Sequence, residues 1–406
     1  MVQVNTMEEW NQAIEHWAVG YRKRIGEVNL YANGYYPPLV DGLIVDEQGI
    51  NNEVASKDLI RHYCDAIGET NPLFRDENYA KSTRYGAMIA PPRFIDFISP
   101  TYGGSGGMEF PQIPGTVPLN AGSDVEWFAP VYMGDRFNMI TRITACRETT
   151  KPGTEGKRLF ILTGEREYYN QNHQLVIRSK SNCIIVFKFI PPSELKEGEL
   201  SKGLYSEIKR HRFTQKELEE VAQAYRNEYR RGREVLFWED VEEGEELPKI
   251  VKGPSTVEDS LAFFSGTYFF AYQVKDMYLR AHPSQIVPDP DTNALTPPSL
   301  IHISDTHARL QGMPYAIVFA GASEGHICEL ITNWIGDDGF IKKMSCQSRR
   351  INIVGDLNWF KGNVERKYID PDTGEHLVDL KVWGENQDGI LFMPGTATVR
   401  LLSREV

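Results

Sequence analysis

Glu69-Thr-Asn-Pro-Leu-Phe-Arg-Asp76, followed from Gly86 by Ala-Met-Ile-Ala-Pro-Pro92, decides how this chain is read. Asn71-Pro72 is a turn signal, since an Asn side chain bonds its own backbone and Pro cannot continue a helix. It separates a predicted helix from a second helical segment beginning near Asp76, and a loop ending in Pro91-Pro92 follows. Outward from there, the chain repeats itself. Val125-Glu-Trp-Phe-Ala-Pro-Val-Tyr-Met-Gly-Asp135 opens one β-rich segment and Arg350-Ile-Asn-Ile-Val-Gly-Asp356 opens another. Strand patterns follow each Gly-Asp: Phe137, Ile140 and Ile143 in the first, Trp359, Gly362 and Val364 in the second. Each segment then reaches a polar hairpin signal, Asn170-Gln-Asn-His173 or Asn386-Gln-Asp-Gly389. The segments end on Cys183-Ile-Ile-Val-Phe187 and Thr396-Ala-Thr-Val-Arg-Leu401. Two copies of one α+β unit explain this order better than a single large domain.

The Asn-Pro stretch resembles the hydration motif of the MaoC-like dehydratases, the hot-dog-fold (R)-specific enoyl-CoA hydratases. With the repeat, the resemblance implies an α+β double hot-dog whose N-terminal half is of the FAS1-like dehydratase type. In that family the turn reads Gly-Asp-x-Asn-Pro-x-His, and its Asp and His hold the water that adds across an enoyl thioester. Here Gly68-Glu69-Thr70-Asn71-Pro72-Leu73-Phe74 keeps an acid as Glu69 but has Phe74 in place of the histidine. The chemistry is therefore expected in the second copy. There the family pattern places Ala, Gly and Pro at set offsets after the His, and Ala308, Gly312 and Pro314 fit those offsets from His302. The family's oxyanion donor, some eighteen residues beyond the His, falls on Ala320, next to Gly321. The family's Asp, five residues before the His, is Pro297 here, and the acid position two residues after it is Ser304, beside Asp305. The carboxylate could come from Asp305, from Glu324 or from Glu69.

The resemblance also supplies a mechanism. A central helix presents free N–H groups and its dipole to a thioester oxygen gaining negative charge. Ala320-Gly-Ala-Ser-Glu-Gly-His-Ile-Cys-Glu-Leu-Ile-Thr332 is a continuous helix candidate in the second copy. In the first, Arg93-Phe-Ile-Asp-Phe-Ile-Ser-Pro100 is stopped by Pro100 and by glycines at 103, 104, 106 and 107. A broken first helix opens room for a medium-to-bulky acyl group. Pro288 to Pro298 is a proline-rich loop of the kind that covers a site.

Two helices flank the repeats. Thr6-Met-Glu-Glu9 is a capping box before Trp10, Ile14, Trp17 and Tyr21 at helical spacing. Phe213-Thr-Gln-Lys-Glu-Leu218 is a second box, with Phe213 and Leu218 as a hydrophobic staple, and its helix is expected to run to Arg231 and stop at Gly232. The expected divisions are 1–45, a helical extension; 46–195, the first hot dog; 196–235, a helical linker; and 236–406, the second hot dog.

Composition bounds the rest. The 406 residues suffice for two domains with real cores, and 41% hydrophobic with 25% charged residues is ordinary for a globular protein. A net charge of −12 argues against a nucleic-acid partner. No basic stretch followed by an apolar run opens the sequence and no apolar run approaches membrane-spanning length, so a cytoplasmic protein is expected. Five scattered cysteines, without a CxxC, indicate neither a disulfide framework nor a zinc knuckle. His307 and His326 lack the spacing for a metal site with His302, so no metal and no cofactor is expected beyond a coenzyme A thioester substrate.

Each candidate has a plainer reading. His302 by itself would be a hydrogen-bonded core residue; Glu69 and Asn71 would stabilise their turn; Arg349 and Arg350 would be a solvated pair rather than a phosphate seat. Three functions compete. One is a lyase hydrating a 2-enoyl-CoA or dehydrating a 3-hydroxyacyl-CoA, with His302, Asp305 and Glu69 as catalytic candidates and Ala320, Gly321, Asn71, Arg349 and Arg350 contacting substrate. Another is an acyl-CoA-binding pseudo-enzyme, and the third a β-elimination lyase expelling a group other than water. A homodimer or a partner hot-dog subunit is expected.

Overall fold

The computed structural model of the chain describes residues 4–31, 44–45, 52–98, 113, 115–151, 153–189, 205, 207–267, 287–296 and 298–405. The first half comprises α1 (Met7–Lys23), β1 (Val28–Tyr31), β2 (Ile44–Val45), α2 (Lys57–Ile67), α3 (Glu77–Lys81), α4 (Ile95–Ile98), β3 (Thr116–Trp127), β4 (Asn138–Glu148), β5 (Lys157–Tyr169) and β6 (Leu175–Lys188). After α5 (Gln215–Arg226) come β7 (Ile250–Lys252), α6 (Val257–Thr267), a small hairpin of β8 (Val287–Pro288) and β9 (Leu295–Thr296), α7 (Asp305–Leu310), α8 (Ala320–Ile335), β10 (Phe340–Gln347), β11 (Asn358–Ile369), β12 (His376–Asn386) and β13 (Leu391–Arg400).

The repeat in the sequence is a repeat of hydrogen bonds. In the first half, Asp135 accepts from the Tyr132 N–H (2.8 Å) and from the Gln171 side-chain amide (2.9 Å), while the Gln171 carbonyl accepts the Arg136 N–H (2.9 Å). In the second, Asp356 accepts from Ile353 N–H (3.1 Å) and Gln387 (3.0 Å), and Gln387 accepts from Leu357 N–H (2.9 Å). The Gly-Asp signal and the hairpin signal are thus two ends of one clamp in each copy. The hairpins match as well. Asn170 Oδ1 accepts the N–H groups of residues 172 and 174, and Asn386 Oδ1 those of 388 and 390. Local bonding of this kind is what suits Asn to turns.

The halves join through backbone. β3 pairs antiparallel with β10, from Glu126 opposite Lys343 to Gly122 opposite Gln347, so among the described residues one sheet of eleven strands runs β2-β1-β4-β5-β6-β3-β10-β13-β12-β11-β7. Pairing these two strands removes the edge each half would otherwise expose. Gly122 is required at this seam. Its φ is +113°, and a Cβ there would stand 2.0 Å from the Cys346 carbonyl oxygen. Gly122→Ala should cost at least about 2 kcal/mol of stability; an unchanged urea midpoint would contradict so close an approach.

Each half curls its sheet over helices. α8 is buried on nearly every side, which marks a core helix rather than a surface one. Its counterpart in the first half is a 3-10 turn, Pro92–Phe94, running into the four residues of α4, after which Ile113 is the next described residue. Pro100 and the four glycines lie outside the described residues. α2 and α6 pack against each other across the pseudo-twofold relation.

Two expectations are corrected. The 1–45 segment is more than a helical extension: α1 keeps its capping box and buries Trp10, Ile14 and Tyr21, but β1 joins the sheet beside β4 and shields that edge. The linker helix stops at Arg226, capped by Asn227, well before Gly232. Beyond it the chain is drawn to the end of α8, where Arg231 N–H meets the Asn333 carbonyl and Gly232 accepts the Asp337 N–H. Leu218 stays 39% exposed, and Val221 is the buried residue of that helix, so the anticipated staple does not seal it.

Candidate active site

His302 ends a 3-10 turn, Pro298–His302, just ahead of α7, whose N-cap is Ser304. Its Nδ1 lies 2.8 Å from the Ile317 carbonyl oxygen. A carbonyl can only accept, so Nδ1 carries the proton and Nε2 is the basic nitrogen of the neutral ring. The rings of Phe264 (5.0 Å between centroids) and Phe319 (5.6 Å) flank it. Burial among them pushes its pKa down to about 4, with the Ile317 carbonyl acting the other way.

Phe319 is also the N-cap residue of α8 and offers no side-chain cap. The Ala320 and Gly321 N–H groups, in the first turn, have no intrahelical acceptor and meet no other among the described residues. His302 and two unsatisfied donors therefore share one helix terminus.

From the opposite side the first half inserts charge. Arg93, on the 3-10 turn, and Asp96, on α4, meet Glu324 of α8: Arg93 Nη2 lies 2.9 Å from Glu324 Oε2 and 3.0 Å from Asp96 Oδ1. Ser123 of β3 donates to Glu324 at 2.5 Å. Burial raises the pKa of Asp96 against the pull of the Arg93 and Arg166 charges, and raises that of Glu324 against Arg93. Asp96 Oδ2 has no hydrogen-bond partner among the described residues and stands 3.2 Å from where a Cβ on Gly321 would be. The carboxyl at this helix terminus is thus Asp96, which the sequence did not single out. Its only sequence signal was a pair of charges three apart in an otherwise apolar run.

The sequence-based candidates divide. Ala320, Gly321 and His302 come together. Asp305 does not join them: Arg210 grips both its oxygens (2.7 and 2.8 Å) and Ala316 N–H adds a third bond. These bonds, acting against burial, hold the Asp305 carboxyl below the usual range. Glu69 is buried, accepts the Asn71 N–H at 2.7 Å, and lies 3.8 Å from Arg230; Asn71 in turn accepts the Leu73 N–H. Both hold the Asn-Pro turn against α8, beside a buried ion pair of Lys252 and Glu329 (2.6 Å). Arg349 and Arg350 are exposed, and two residues on, the Asn352 carbonyl accepts Val318 N–H just ahead of α8. Asn352, which sequence reasoning missed, is 8% exposed, and both its side-chain polar atoms are unpartnered among the described residues. His307 bonds Ser304 and Thr296, with Asp289 of the proline-rich loop 3.7 Å away. Among the described residues, no group of three or more His, Cys, Asp or Glu could hold a metal ion, and no helix is long and apolar enough to cross a membrane.

Residues 46–179 match the family model of the FAS1-like dehydratase domain region. A solved MaoC-like dehydratase superposes with a TM-score of 0.60 at 17% identity, over 94% of this chain and 99% of that one. The fold of this chain is thus the double hot dog that a solved MaoC-like dehydratase also has. A MaoC domain protein dehydratase from Chloroflexus aurantiacus gives a TM-score of 0.54 at 14% identity, over 94% and 96% of the two chains. A Mycobacterium tuberculosis protein described as a double hot dog gives 0.52 at 13% identity, over 87% and 94%. Curated relatives are UPF0336 proteins. One from Streptomyces avermitilis is 25% identical over 99 residues, 22% of this chain and 61% of that protein. One from Thermobifida fusca is 48% identical over 40 residues, 10% of this chain and 26% of that protein. The chain thus spans about three-fifths or less of the curated relatives' length.

Within this double hot-dog fold the two halves are unequal. The offset that leads from His302 to Ala320 leads from Phe74 to Pro92, which has no N–H to donate. The cleft beside the first half's Asn-Pro turn, closed by the end of α8 and the start of β10, is lined by Phe74, Tyr85, Pro92, Trp127 and Phe340, with no imidazole. Ring and donor are both lost there and both present in the second half.

Proposed function

We propose that the protein hydrates a medium-to-bulky 2-enoyl-CoA, or runs the reverse dehydration of the 3-hydroxyacyl-CoA. The observation that carries this reading is the meeting of His302, Asp96 and two unsatisfied N–H groups at the start of α8. His302 Nε2 takes a proton from water as the water oxygen bonds to the β-carbon of the alkene. The electron pair moves onto the thioester oxygen, held by the Ala320 and Gly321 N–H groups in a terminus whose dipole favours negative charge. Asp96, whose carboxyl burial keeps protonated to higher pH, delivers a proton to the α-carbon. Solvent returns the proton from His302 to Asp96. Arg349 and Arg350 are assigned to the phosphates of coenzyme A, and Asn352 to orienting the thioester.

Incubation with a trans-2-enoyl-CoA should remove the conjugated thioester absorbance and add the mass of one water. Asp96→Asn should lower kcat by about 10²-fold or more with KM little changed. Binding without conversion across a broad panel would favour the acyl-CoA-binding reading. Loss of a β-substituent without water addition would favour another leaving group. We further propose a cytoplasmic protein, in keeping with five free buried cysteines, and a homodimer or a hot-dog partner subunit, to be tested by mass in solution.

A further inference from the structure

Thr141, Arg166 and Ser179 stand directly opposite one another on β4, β5 and β6. They are buried, at 0%, 6% and 5% exposure. On the same sheet face Met139, Tyr168 and Ile177 lie to one side in the main core, and Ile143, Leu162 and Cys183 lie to the other, beneath α1. A cation and two hydroxyls thus form a band between two apolar clusters, at positions where alternation calls for apolar side chains. Among the described residues the Arg166 Nε and Nη2 have no hydrogen-bond partner, nor has the Thr141 hydroxyl, and Arg166 makes no ion pair. Leaving a guanidinium buried with its donors unused is strongly unfavourable.

The band lies on the sheet of the first half, which also carries α4 (Ile95–Ile98). Asp96 links it to the α8 terminus: one oxygen goes to Arg93, the other lies beside Gly321, and the Arg166 charge acts on the same carboxyl. An acyl chain with its thioester at Ala320 and Gly321 would pass Asp96 before reaching Arg166. Adjacent N–H groups of one guanidinium match the two oxygens of a planar carboxylate, and the Thr141 and Ser179 hydroxyls can each donate as well.

We infer that Arg166, Thr141 and Ser179 form a terminal subsite for the acyl group, and that the chain takes thioesters whose far end carries a carboxylate. This rests on the α8 terminus holding the thioester, as proposed above. The test pairs saturated mono-CoA thioesters of dicarboxylic acids with methyl-ended thioesters of the same chain length, and measures dissociation constants by calorimetry. Saturated chains cannot be hydrated, so the comparison does not depend on turnover. At the best-fitting length the carboxylate should bind about 10²-fold more tightly, and Arg166→Met should abolish that gap while changing the neutral partner's affinity by less than about threefold. Thr141→Val should narrow the gap by about three- to tenfold and keeps the guanidinium in place if the Arg166 variant fails to fold. Equal affinity at every length, or a preference surviving Arg166→Met, overturns the inference. A carboxylate preference without any hydration upholds it while the proposed reaction fails; hydration without the preference does the reverse.

Discussion

His302→Ala should lower the turnover of an enoyl-CoA by about 10²–10⁴-fold and leave binding of a saturated acyl-CoA nearly unchanged. The Ile317 carbonyl sets the tautomer of this ring and leaves Nε2 as its basic nitrogen. Its pH behaviour follows from burial, which lowers the pKa to about 4. Above that value the folded protein holds the ring neutral and competent, and activity is lost as pH falls through it. The stability contribution follows the same sign. An unfolded imidazole takes up a proton near pH 6.5, which the folded ring declines until about pH 4. Stability is therefore whole above the unfolded value and is eroded as pH falls from one to the other. An acid limb of kcat/KM centred near pH 6.5 would remove burial as the governing influence, and near-normal turnover in the variant would move the chemistry elsewhere.

Lys252→Met should destabilise the protein by about 3–5 kcal/mol, because it leaves buried carboxyls without their cation. Lys252 Nζ lies 2.6 Å from Glu329 Oε1, with side-chain exposures of 8% and 0%, and donates to the Gly68 carbonyl at 3.3 Å. Burial pulls the Lys252 pKa down, but the charges of Glu329, Glu228 and Glu69 more than offset it, so the ammonium persists. Glu329 Oε2 has no partner among the described residues, and burial pushes the pKa of that carboxyl upward. The cluster joins β7 and α8 of the second half to the end of α2 in the first, so its loss loosens the contact between halves. Replacing both residues by apolar ones of similar volume, Lys252→Met with Glu329→Leu, should recover most of the loss. A single variant unfolding at the same urea concentration as the native protein would show that the pair contributes little.

Much of this architecture is legible in local sequence because its determinants are local. Gly134-Asp135 with Asn170-Gln171, and Gly355-Asp356 with Asn386-Gln387, mark turns by residue chemistry alone, and the turns lie where those residues predict. The capping boxes at Thr6 and Thr214 likewise begin helices where the sequence places them. Where a helix ends was less legible: α5 stops at Arg226 because the chain beyond is pulled onto the end of α8, some hundred residues away.

His302, Ala320 and Gly321 are near in sequence, so their spacing alone could bring them together. Their partners are not. Asp305 looked suited to be the carboxylate only because it is adjacent, and Arg210, about ninety residues upstream, occupies it. Asp96 and Arg93 reach the α8 terminus from more than two hundred residues away, through the pairing of β3 with β10. Alternation along its strand puts Arg166 on the same face as Leu162 and Tyr168, but only the tertiary packing sets that face between two apolar clusters. The sequence by itself determined the repeated unit, its turns and caps, and the second half as the one keeping its imidazole and donor. The tertiary structure alone decided which charges meet there, because burial and approach across the seam between halves depend on contacts that no local spacing encodes.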